Sequence, residues 1–147
     1  MTFKRVMAAL AGCAAVCSAV SATGFPPAAS AQERTCASTP LRTERVELGE
    51  PGSWRYTFGV TWCAGNGAVL WADPETTYEL HSADCAWLGN LEEYSGPLPG
   101  NAAWREFNMN GFACRRGGGV EAVNPWGEFI LRPDGTYQVR SGVEADS

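Results

Sequence analysis

The sequence has one lysine, Lys4, and one histidine, His81. With a single histidine, no serine–histidine pair can be assigned. His81 falls between Leu80 and Ser82 on a presumed strand end, and its simplest reading is a surface or hydrogen-bonded structural residue. No C-x-x-C pair occurs among the widely spaced Cys36, Cys63, Cys85 and Cys114, which argues against a thiolate metal site. No stretch keeps a helical period. The one apolar run, from Val6 to Val20, is followed by Gly24, Pro26 and Pro27, so a retained membrane span is not expected.

That run has the marks of a secretory signal. Lys4 and Arg5 precede it, and Ala29-Ser30-Ala31 offers small residues for cleavage after Ala31. A minor alternative is Leu10-Ala11-Gly12-Cys13, which resembles a bacterial lipobox with Cys13 as the lipidated residue. The chain stays apolar after Cys13, where a solvated tether is usual. Residues 32–147 then form a single secreted domain, with a loose arm at 32–41 and an acidic, frayed tail at 141–147. This part holds nine arginines, no lysine and sixteen carboxylates, a formal charge of −7. Such a balance has no attraction for nucleic acid or anionic membranes. Neither nucleic acid binding nor membrane insertion after processing is expected.

What the chain has is alternation. From Trp54 to Trp62 every second residue is large and apolar, the period of a strand with one buried face. Gly49-Glu50-Pro51-Gly52 turns the preceding strand, so that Val46 and Leu48 share the face of Trp54 and Tyr56. Continued backwards, this register brings Cys36 near the position opposite Cys63. It favours Cys36–Cys63 and leaves Cys85–Cys114, both in an oxidising compartment.

Further turns are expected at Ala64-Gly65-Asn66-Gly67, Asp73-Pro74, Asn110-Gly111 and Asn124-Pro125-Trp126-Gly127. Residues 82–100 read as a long loop pinned by Cys85, and Arg115 to Gly119 as a mobile connection. Pro133-Asp134-Gly135 suits a type I turn with a glycine bulge, pairing Leu131 with Tyr137 and Phe129 with Val139. The expectation is an all-β fold: a small antiparallel sandwich or barrel of seven to eight short strands, held by two disulfides.

Three sets of residues are candidates for function. Asp73, Glu75, Glu79, Asp84, Glu92 and Glu93 cluster without a basic neighbour. Two of them could act as acid and base on a sugar, although a solvated rim is the simpler reading. They lack the spacing of a calcium loop, and no metal or cofactor is expected. Of the six tryptophans, Trp54, Trp62 and Trp71 read as core. Trp87 and Trp126 lie in loop-like, glycine-flanked contexts, where an exposed ring can stack on a sugar or anchor a protein.

Ser53-Trp54-Arg55-Tyr56 lies between the first and second of these four cysteines. The segment and the cysteine order resemble tendamistat-type microbial α-amylase inhibitors. The resemblance implies a secreted β-sandwich with two sequential disulfides. It also implies an inhibitory triplet of Trp54, Arg55 and Tyr56, with Arg55 meeting the catalytic carboxylates of an amylase.

Together these features favour a non-catalytic secreted module that binds or inhibits an extracellular protein or carbohydrate through Trp87, Trp126 and Arg55. The alternatives are a small hydrolase using the carboxylates of the 73–93 region and an α-amylase inhibitor.

Overall fold

The alternation that opens at Trp54 becomes the central strand of one of two antiparallel sheets. In the computed structural model, residues 35–100 and 102–145 are described. The expected signal segment 1–31 with Cys13, the first residues of the expected arm and the last two of the expected tail lie outside them. Among the described residues there is no helix.

The eight strands are β1 (Leu41–Arg42), β2 (Val46–Glu50), β3 (Trp54–Gly65), β4 (Ala68–Leu80), β5 (Cys85–Pro97), β6 (Trp104–Arg116), β7 (Gly119–Leu131) and β8 (Tyr137–Ala145). In the first sheet β3 is central, with β4 along one side and β1 then β2 along the other. The second sheet is the meander β5-β6-β7-β8.

The strand phases set the core. Trp54, Tyr56, Phe58, Val60 and Trp62 are all buried, as their period of two requires. Trp54 stacks on Phe112 at 5.0 Å, and Phe58 meets Phe129 at 5.4 Å. Trp62 meets the ring of Tyr137 edge-on at 6.0 Å and donates its indole N–H to the Arg132 carbonyl. Val46 lies opposite Phe58 and Leu48 opposite Tyr56, the expected register. Both disulfides are as expected, Cys36–Cys63 and Cys85–Cys114. The last hairpin also has its expected pairs, Leu131 with Tyr137 and Phe129 with Val139. Gly135 takes the left-handed conformation that closes the loop.

Several expected breaks are continuous strand, so β3 to β7 are long instead of short. Asp73-Pro74 runs through β4, an edge strand whose Pro74 needs no second partner. Asn110-Gly111 and Asn124-Pro125 do not turn. They face each other where β6–β7 pairing skips from Met109↔Trp126 to Phe112↔Val123, and a proline N–H is not required there. Arg115 to Gly119 is no mobile connection: Arg116 pairs with Gly119 across a two-residue turn of Gly117 and Gly118, both with positive φ. The tail from Ser141 is not frayed, since β8 pairs with β7 as far as Ala145↔Val123. Trp71 is half-buried and lies opposite Cys63, outside the core formed by Trp54 and Trp62.

The largest departure is residues 82–100, which hold the thirteen-residue strand β5. Its register slips twice against β6, between Trp87 and Gly89 and between Asn90 and Glu92. Each slip is a bulge that adds one residue to β5 alone. Two residues separate successive same-face positions in a regular strand, and each bulge makes that three. Trp87, Asn90 and Glu93 therefore share one face, while the exposed Leu88 and Leu91 carry the extra residues.

Candidate functional site

No ladder joins β4 to β5, so the two sheets part along this edge. The gap is a cleft of about 420 Å³. Pro74, Thr76 and Tyr78 line it from β4, and Trp87, Asn90, Glu93 and Ser95 from β5. Its floor is the inward face of β6, with Glu106, Asn108 and Asn110.

Those floor positions decide how the cleft should be read. They continue the phase of Phe112, which is fully buried in the core. A sandwich normally fills such positions with apolar side chains, because burying polar groups costs free energy unless they are hydrogen-bonded. Here a carboxyl and two amides stand in a row, and the two amides are bonded into a chain. The Trp87 indole donates to Asn110 Oδ1 at 2.7 Å. Asn110 Nδ2 donates to Asn108 Oδ1 at 2.8 Å, and Asn108 Nδ2 donates to Asn90 Oδ1 at 3.1 Å. Asn90 Nδ2 donates to Glu93. From below, the Tyr56 hydroxyl donates to Asn108 Oδ1 at 3.1 Å. Burial pushes the Tyr56 pKa up, so this hydroxyl keeps its proton as a donor.

Tyr78 and Trp87 close one end. Their rings stack at 4.3 Å across the turn that links the sheets, yet they remain 43% and 39% exposed. At the other end Ser95 Oγ and Trp104 Nε1 both donate to Glu106 Oε1, each at 2.6 Å. Oε2 is left free of these two bonds. Burial raises the Glu106 pKa above its usual 4.5. The two hydrogen bonds oppose this, and the negative charges of Glu93 and Asp73 add to it.

The sign of the pH effect follows. The folded state holds the Glu106 proton more tightly than the unfolded chain does, so this group's contribution to stability falls as pH rises from about 4.5 through the raised value. Glu106→Gln keeps an acceptor for Ser95 and Trp104 and has no proton to lose. Its melting temperature is expected to lack the decline expected of the parent between pH 4.5 and neutrality. Thermal melts across that range check this, and parallel profiles for the two proteins would refute it.

Of the residues singled out from sequence, Trp87 and Glu93 enter the cleft and the others lie elsewhere. Trp126 sits on the outer face of the second sheet, opposite Gly142 and 6.1 Å from the Phe107 ring. Arg55 is exposed and lies 3.6 Å from Glu79. Trp54 and Tyr56 beside it are buried at 3% and 0% exposure, so Arg55 alone of that triplet reaches solvent. His81 pairs with Glu79 and lines, with Arg55, an open groove beside the Pro51–Gly52 turn. Trp54 is the one aromatic residue lining that groove, and its ring is committed to the core.

The acidic cluster disperses. Glu75 and Glu79 point to the outer face, towards Arg45 and Arg55, and Glu92 lies opposite the outward Met109. Among the described residues, no group of three or more acidic, histidine or cysteine side chains is placed to hold a metal.

Sequence reasoning missed Glu106, Asn108 and Asn110. Their signal is an alternation of polar residues in phase with Phe112, interleaved with Arg105, Phe107 and Met109. Comparison with models of protein families, with curated proteins and with solved structures finds no match to this chain.

Proposed function

We propose that the protein is a secreted, non-catalytic carbohydrate-binding module whose ligand lies in the cleft between β4 and β5. The observation that carries this reading is the inward row Glu106–Asn108–Asn110 running up to the Tyr78–Trp87 stack. Sugar hydroxyls both donate and accept hydrogen bonds, as do side-chain amides. The apolar face of a pyranose ring suits an exposed aromatic ring. The cleft volume falls within the range usual for small-ligand sites, whereas a flat aromatic patch would better suit a protein partner. Two disulfides fit an extracellular setting and hold the scaffold rigid behind the site.

The test is a panel of soluble oligosaccharides and insoluble polysaccharides, with retention and titration as readouts. Trp87→Ala is expected to weaken binding tenfold or more, and Trp126→Ala to leave it unchanged. If no saccharide is retained, or if Trp126→Ala is the variant that loses binding, the cleft is not the site. Release of new reducing ends during incubation would favour the hydrolase reading instead, with Glu93 and Glu106 as its carboxyl pair.

A further inference from the structure

We propose that the cleft selects a sugar bearing a protonated amine, so that the ligand is an amino-sugar oligosaccharide. The inference rests on the carbohydrate reading of this cleft and adds the charge of the ligand.

No arginine or histidine lines the cleft, while two carboxyls, Glu93 and Glu106, do. They stand on adjacent strands and one face. Glu93 lies opposite Asn108 and Glu106 opposite Ser95, so the pair is diagonal across the ladder. Side chains so placed are within reach of one small group.

Five carboxylates outside the cleft are matched with arginine. Glu50, Glu75, Glu79, Glu121 and Glu128 each face one. Glu93 and Glu106 form no ion pair among the described residues. Glu106 is 1% exposed, a position where an unpaired carboxylate is costly. An ammonium group arriving at Oε2 would supply the missing positive charge and make charge-assisted hydrogen bonds to both carboxyls.

The other end supports the same class of ligand. From Asn110 beside Trp87 to Glu106 is four residues of β6, about 14 Å at ~3.4 Å per residue. That exceeds one pyranose ring. One ring of an oligosaccharide can rest at the Tyr78–Trp87 end while an amine of another reaches the carboxyls. The exposed aromatic faces are themselves attractive to cations.

The experiment titrates the purified protein at pH 6 with three tetramers of equal length: β-1,4-linked glucosamine, its N-acetylated form and the corresponding glucose oligomer. Tryptophan fluorescence and calorimetry are the readouts. The glucosamine tetramer is expected to bind at least tenfold more tightly than the other two. This preference should shrink in 0.5 M salt and vanish in Glu93→Gln/Glu106→Gln, which should no longer distinguish the glucosamine tetramer from the neutral ones.

Equal affinity for all three overturns the charge inference and leaves the carbohydrate reading in place. A preference that survives in the double variant also overturns it, because the carboxyls would not be its source. Failure of all three to bind removes both.

Discussion

Asn108→Leu is expected to abolish the proposed saccharide binding and to lower stability by about 1–3 kcal/mol, the cost of stranding a buried donor. The donor is Asn110 Nδ2, which is buried and gives its hydrogen bond to Asn108 Oδ1. The Tyr56 hydroxyl loses one of its two acceptors at this position and keeps the Asn108 carbonyl at 3.1 Å. A leucine has the same branching and is no smaller, so no cavity opens and the loss comes from the polar chain. Asn90→Ala is the companion variant. Asn90 is exposed, so water can replace its bonds; its removal should weaken binding with little change in stability. Urea titrations beside ligand titrations separate the two effects. If Asn108→Leu bound saccharide normally, the floor of the cleft would not be its contact surface.

The two disulfides are expected to matter equally for stability and unequally for binding. They close sequence separations of 27 and 29 residues. The chain-entropy account gives each about 3.5 kcal/mol. Replacing Cys36 and Cys63 with serine should release the arm that precedes β1 and lower the melting temperature. The cleft lies away from that bridge, and binding by the folded fraction should be unchanged. Replacing Cys85 and Cys114 removes a cross-strand tie at the start of β5, two residues before Trp87. That variant should lose both stability and affinity. Equal affinities in the two double variants would show that the Trp87 end of the cleft needs no covalent anchor.

Much of the scaffold was legible in the sequence because one face of β3 is wholly buried. When burial alternates so regularly, Trp54 to Trp62 can be read in only one phase. Its hairpin with β2 and the nearby cysteine then follow from register. The Pro133-Asp134-Gly135 loop was legible for the same reason, since only one loop length puts Leu131 and Tyr137 together.

The site was less legible, and each miss has a physical cause. In β6 the residues Glu106, Asn108 and Asn110 alternate with Arg105, Phe107 and Met109. Hydrophobicity alone turns Phe107 and Met109 inward, but the structure turns the polar set inward. The two bulges hid β5, because Trp87, Asn90 and Glu93 are three apart and fit no period of two. Asn110-Gly111 has the composition of a hairpin turn, and only the facing Asn124-Pro125 shows why the chain passes straight on. Trp87 was found as an exposed ring in a glycine-flanked stretch, but its partner Tyr78 was not. That pairing exists only once two sheets have parted.

The bulges of β5 work as looped-out insertions, and the frame set by β6 resumes beyond each of them. Excision of Leu88 alone, or of Leu91 alone, would remove one bulge and leave Trp87, Asn90 and Glu93 on their common side. Excision of both would hold the three on that side in an unbroken ladder. The cleft-facing order of this edge is thus indifferent to the number of its insertions, and single and paired excisions here should be tolerated alike.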